Sequence, residues 1–170
     1  MKRCLALFLA LASVLAFTPC FAHEEMSAPK VSASFDPLKA LVGEWHEAGK
    51  GDQGTVVIYE LVAGGSALVE RMDPGTPHSM VTVYYPDGDK IMLTHFCADG
   101  NQPRMRGVSN AKSIKFTMID VTNLPSPKSR HMDGLTLTFT DKDHLVQEWS
   151  LKEGDTATTH RFDLERKKAS

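Results

Sequence analysis

The stretch TATTHRFDLERK, Thr156 to Lys167, alternates as a strand with one dry face does. His160, Phe162 and Leu164 share one side, and Arg161, Asp163 and Glu165 share the other, which is the period of two of an extended chain. A histidine therefore points where a core or a cavity should be. A neutral imidazole there either hydrogen-bonds in the interior or takes a ligand.

The same alternation recurs upstream. Ile114, Phe116 and Met118 fall on one face of their segment, Leu135, Leu137 and Phe139 on one face of the next, and Leu145, Gln147, Trp149 and Leu151 on one face of the third. Opposite them stand Lys115 and Thr117, then Thr136 and Thr138, then Glu148, Ser150 and Lys152, so each segment has one wet side. From Gly43 onward the pattern predicts ten strands, near 44–50, 54–63, 66–73, 79–86, 90–98, 103–109, 113–120, 133–140, 144–152 and 156–166. Between them lie turn signals such as Ala63-Gly64-Gly65, Pro86-Asp87-Gly88-Asp89 and Glu153-Gly154-Asp155. The connections are of hairpin length except VTNLPSPKSR, Val121 to Arg130. Sequential strands should thus be antiparallel neighbours. Closing the sheet removes its exposed edges, so the expected fold is all-β, a ten-stranded antiparallel up-and-down β-barrel. A barrel wider than eight strands has more interior than side chains readily fill, which predicts a cavity. One short N-terminal helix precedes the strands: Asp36 as its cap, Pro37 at its first helical position, Leu38, Leu41 and Val42 on its apolar side, and Gly43 at its end.

The chain starts as a targeting segment. Lys2 and Arg3 precede an apolar run from Leu5 to Phe17, and Ala22 is a small residue suited to cleavage, so residues 1–22 are expected to be a signal peptide. The run is too short for a membrane-spanning helix of about 20 residues, and export to the periplasm or outside the cell is the expected localisation. Pro19 before Cys20 fits poorly with lipid attachment. Residues 23–34 lack periodicity and are expected to be a disordered leader, leaving 35–170 as one barrel domain. Of 19 basic and 21 acidic residues, 17 and 21 remain after residue 22. That net acidity argues against nucleic acid as a partner. Cys4 and Cys20 leave with the signal peptide, so Cys97 is the single remaining thiol and no internal disulfide is expected.

Leu41-Val42-Gly43-Glu44-Trp45 contains a G-x-W at Gly43 and Trp45, after a short helix and at the opening of a series of antiparallel strands. This arrangement resembles the calycin superfamily of lipocalins and fatty-acid-binding proteins, and ten strands favours the fatty-acid-binding side. The closing strand, with His160, Leu164 and Arg166 in an H-x-x-x-L-x-R pattern, looks like that of nitrobindins, barrels that hold haem on one histidine of the last strand. The resemblance implies haem as cofactor and His160 as axial ligand of its iron. The nitrobindin glycine-rich segment after the tryptophan is absent, since this chain reads Trp45-His46-Glu47-Ala48-Gly49-Lys50-Gly51. The chain looks equally like secreted bacterial lipocalin-like barrels without an established activity. The resemblance also implies that Gly43, Trp45 and Arg166 are structural, with Trp45 packing near the helix against Arg166.

Three readings of His160 stay open: a haem ligand, a group orienting another ligand, and a hydrogen-bonded core histidine. Phe162, Leu164, Met118, Phe116 and Leu137 are the candidate apolar walls of a porphyrin pocket. His95 and Cys97 share a strand face and are both metal-ligand types, but two such residues do not make a site. They are expected to line the cavity with Met105, Gln147, Phe116, Met118, Trp149 and one of Tyr84 or Tyr85. Arg104 and Arg106 face out if Met105 faces in. A bulge near Pro103 would turn one of them inward, toward an acidic ligand. Ser109-x-x-Lys112 crosses a turn, and His131, Asp120 and Asp133 flank the long loop as turn residues do. No nucleophile elbow, carboxylate pair or phosphate loop points to an enzyme. The expected function is an exported barrel binding a small hydrophobic ligand. A haem-binding barrel and a ligand-free interaction module are the alternatives.

Overall fold

The structure, a computed structural model, describes residues 33–168. The expected signal peptide and most of the expected leader lie outside the described residues. A 3-10 turn at Ala33–Phe35 leads into α1 (Asp36–Lys39), and ten strands follow. These are β1 (Gly43–Glu47), β2 (Val56–Val62), β3 (Ala67–Met72), β4 (Met80–Asp87) and β5 (Lys90–Phe96). The second five are β6 (Gln102–Ser109), β7 (Ser113–Thr122), β8 (His131–Phe139), β9 (His144–Glu153) and β10 (Thr156–Arg166). Every strand pairs antiparallel with its neighbours in the chain, and β1 closes on β10 to complete a ten-stranded barrel. No helix of the described residues is long and apolar enough to cross a membrane.

Closure follows from the first and last strands. Trp45, His46 and Glu47 pair with Arg166, Glu165 and Leu164, which satisfies both edges that a ten-stranded meander would otherwise expose. The Arg166 guanidinium lies 4.2 Å from the Trp45 ring centroid. It also donates to the carbonyls of Ala40 and Val42, each at 2.7 Å, and of Lys142 at 3.1 Å. Orphan carbonyls after a short helix need such donors. Gly43 has a φ of 128°, and a Cβ on it would stand 3.2 Å from Arg166 Nη1. The glycine of G-x-W thus makes room for the arginine that covers the tryptophan. Trp45 Nε1 donates to Leu41 O at 2.8 Å, and Phe35, Leu38 and Leu41 join Trp45 in the core.

Two details of the helix differ from expectation. Asp36 is the first helical residue, with Phe35 in the cap position, because the preceding 3-10 turn carries the chain in. Its carboxylate pairs with Lys39 at 2.9 Å. Val42 is exposed, since the chain has left the helix by then and the apolar side is completed by Phe35 instead. Ala33 and Ser34, expected in the leader, belong to the ordered turn, and Ser34 Oγ donates to Asp89 O.

Side-chain phase is as the alternation requires. His160 pairs with Trp149, Phe162 with Gln147 and Leu164 with Leu145, so the inward faces of β9 and β10 coincide. β6 and β7 shift register between Arg104 and Met105, where Ile119 is the extra residue. The bulge leaves the phase of β6 intact: Met105 is buried, while Arg104 and Arg106 are exposed. Arg104 pairs with Asp120, which holds that carboxyl below its ordinary range.

Candidate functional site

The interior is built in two parts. In the first, β3 reads Ala67-Leu68-Val69-Glu70-Arg71-Met72, and its period of two turns Leu68, Glu70 and Met72 inward together. A fully buried glutamate results. Its carboxylate collects donors from facing strands: Tyr84 Oη at 2.8 Å, Gln147 Nε2 at 2.9 Å and Thr82 Oγ1 at 3.3 Å. The Tyr59 hydroxyl is also engaged, accepting a hydrogen bond from Gln147 Nε2. Gln147 Oε1 accepts from Trp149 Nε1 at 2.9 Å, and because an indole nitrogen only donates, this contact fixes which way the amide points. Burial pushes the Glu70 carboxyl above its usual value, and the hydrogen bonds from Tyr84, Tyr59, Gln147 and Thr82 pull it back. Burial and the neighbouring carboxylate push both tyrosines well above the ordinary phenol range.

The network extends to a histidine. Thr82 and His95 are register partners on β4 and β5, and Thr82 Oγ1 lies 2.9 Å from His95 Nδ1. The imidazole is 2% exposed and packs 4.6 Å from the Trp149 ring, centroid to centroid. Burial lowers its pKa to about 4, so it is neutral at pH 7. Its Nε2 and Asn101 Oδ1 are the buried side-chain polar atoms without a hydrogen-bond partner among the described residues.

The second part is a pocket of about 350 Å³ at the end of the barrel away from α1. The two ends of β5 show the polarity: Asp89, just before it, meets Ser34 beside the helix, while Cys97, just after it, lines the pocket. Met72, Met80, Met132, Trp149 and Phe162 make the apolar wall. Such a volume is at the lower end of small-ligand sites, and methionines give a wall that adapts to shape. The polar lining comprises His95 within and His78, Asp99, Arg130 and His160 toward the mouth. Arg130 Nε stands 3.4 Å from Asp99 Oδ2, and its carbonyl accepts from Asn101 Nδ2 at 2.9 Å, which ties the long loop to the rim.

Five of the residues singled out in the sequence meet here: His160, His95, Cys97, Trp149 and Phe162. His160 faces inward yet is exposed, because the barrel is open at its level, so the core-histidine reading does not fit it. The buried histidine of that description is His95. Cys97 is half-buried with Sγ 3.8 Å from Asp99 Oδ2, and burial raises its thiol, the opposite of an activated thiolate. Met105, Phe116, Leu137 and Leu164 are instead packed in the core, with Met118 against them, and Gln147 belongs to the Glu70 network. They do not line the pocket, since large side chains fill that part of the interior. Of the expected porphyrin walls, Phe162 alone is on the pocket. Tyr84, not Tyr85, is the fully buried tyrosine of the pair.

Glu70, Thr82, Arg130 and the three pocket methionines are absent from the sequence reading. The alternation Leu68, Glu70, Met72 was a usable signal for the first. Among the described residues, no group of three or more His, Cys, Asp or Glu is placed to hold a metal ion.

No family model matches the chain, and no curated protein matches it. Its fold is similar to that in the crystal structure of Rv2717c from M. tuberculosis, with a TM-score of 0.56 and 17% identity over 81% of this chain and 99% of that one. Likeness at this identity speaks for the barrel alone.

Proposed function

We propose that the barrel binds a small, largely apolar ligand, lipid- or fatty-acid-like, in the pocket at its open end. The observation that carries this reading is the apolar wall of Met72, Met80, Met132, Trp149 and Phe162 around about 350 Å³, with a few polar groups converging on it. A collapsed interaction module has no use for such a wall. Arg130 and the histidines at the mouth suit the polar end of an amphiphile, and Arg130 takes the place that Arg104 or Arg106 would have had in recognising an acidic group. The chain would act after export and removal of residues 1–22, as a calycin-like carrier or sensor. The test is a titration with the dye 1-anilinonaphthalene-8-sulfonate, followed by displacement with decanoic acid. Saturable one-to-one enhancement, reversed by the acid, is the expected result. A dye signal that never saturates, or that the acid does not displace, would remove the reading.

A second reading has its own observation. His160 projects into the pocket beside Phe162, and among the described residues no hydrogen bond or ion pair engages its ring. In a haem-binding reading His160 would be the ligand of the iron, and Phe162 and Met80 would supply apolar contacts. When bound, the group would supply a redox-active iron. The protein's part would be to hold it through His160 and the apolar side chains beside it. A haemin titration of wild type beside His160→Ala decides this: a stoichiometric Soret shift lost in the variant supports haem, and a shift that survives the substitution counts against it.

A further inference from the structure

We infer that His95 Nε2 is a built hydrogen-bond acceptor on the inner wall of the pocket, held in that form by Glu70 through Thr82, and that the ligand presents an O–H donor to it. The ligand class is therefore a small apolar alcohol, phenol or undissociated carboxylic acid. This rests on the ligand-binding reading above and narrows it.

The assignment follows from counting protons. Trp149 Nε1 can only donate, so Gln147 offers it Oε1 and turns both amide protons to Tyr59 and Glu70. Tyr84 gives its single proton to the same carboxylate. Tyr84 and Gln147 both donate to Glu70 Oε2 and Thr82 faces Oε1, so with Glu70 ionised each of these donors has an acceptor. The ionised Oε1 can only accept, so Thr82 directs its one proton there. Its oxygen can then only accept from His95, so the imidazole proton sits on Nδ1 and the lone pair on Nε2. A carboxylate acting through a hydroxyl thereby orients the ring and selects its tautomer, as outer partners do for histidines that receive ligands. His95 lines the pocket, is 2% exposed, and among the described residues has no hydrogen-bond partner at Nε2. An acceptor buried without a donor is costly, and a ligand hydroxyl at that atom removes the cost. His160 shows the contrast: it is exposed at the mouth, and no hydrogen bond among the described residues orients it.

Two measurements on the intact protein test this. Long-range ¹H–¹⁵N spectra of the wild type should show His95 as the Nδ1–H tautomer, with Nε2 shifting when phenol is added but not when toluene is added. Thr82→Val should lose the single tautomer. An Nε2–H tautomer in the wild type overturns the inference. In parallel, the ratio of phenol to toluene affinity should fall roughly five- to tenfold in His95→Leu, the loss of one hydrogen bond to a buried partner. An unchanged ratio, with both compounds still bound, overturns the inference and leaves the ligand-binding reading standing. If neither phenol, toluene nor the dye binds the wild type, the ligand-binding reading itself is overturned, and the inference with it.

Discussion

At the scale of single residues, the neutral buried His95 makes stability depend on pH with a definite sign. Its folded pKa of about 4 lies below the ordinary imidazole value of 6.5, so between those values the unfolded chain binds more protons. Its contribution is therefore complete above about pH 6.5 and declines as pH falls toward 4. By linkage the loss across that window is of order 3 kcal/mol. Glu70 acts with the opposite sign: its carboxyl is raised, so its contribution is complete below the ordinary carboxyl value and is lost as pH rises through the folded one. Comparing urea midpoints at pH 7 and pH 4.5 for wild type and His95→Gln isolates the histidine. The variant should lose most of the acid sensitivity, and an equal drop in both proteins would assign it elsewhere. His95 was legible as an inward polar residue because its strand alternates. Its partners were not, because Glu70 and Gln147 lie 77 residues apart and only closure of the barrel joins them. A glutamate among strand residues reads as a solvent-facing group unless the phase of Leu68 and Met72 is followed through it.

At the scale of elements, the ten strands follow from alternation and turn chemistry, both written locally in the chain. The seam between β1 and β10 is different, because pairing across the whole chain must be secured by something other than a hairpin. Arg166 secures it, gripping the Trp45 face and three carbonyls at once. Arg166→Lys keeps the charge but loses the planar fork, and an ammonium cannot serve three carbonyls spread over two segments. A loss of about 2–3 kcal/mol is expected from the charged hydrogen bonds and the ring contact together. It should appear as a lower urea midpoint with unchanged slope. A variant as stable as the wild type would show that strand pairing alone holds the seam. The helix was less legible than the strands: a four-residue element has too few turns for periodicity to place its cap, and the preceding 3-10 turn supplied Phe35 from what reads as leader.

At the scale of the molecule, ten strands enclose more volume than their inward side chains fill, and the chain deals with the excess unevenly. The part beneath α1 is packed solid by Phe116, Leu135, Leu137 and Trp45, and the excess is gathered at the far end in a methionine-walled pocket. Alternation reports that a residue points in, but not how far along the axis it sits, which is why Met105 and Phe116 read as cavity lining when they are core. If the division is real, stability and binding should be separable. Leu137→Ala removes buried methyl groups from the packed part and should cost about 2–5 kcal/mol, while dye affinity at a temperature where the variant is folded stays as in the wild type. Met132→Trp places a larger side chain on the pocket wall, where there is room for it, and should abolish dye binding with little change in the urea midpoint. A Leu137→Ala protein that loses affinity in proportion to its stability would mean that the pocket and the core are one continuous space. A Met132→Trp protein that still binds the dye would place the ligand site outside the barrel.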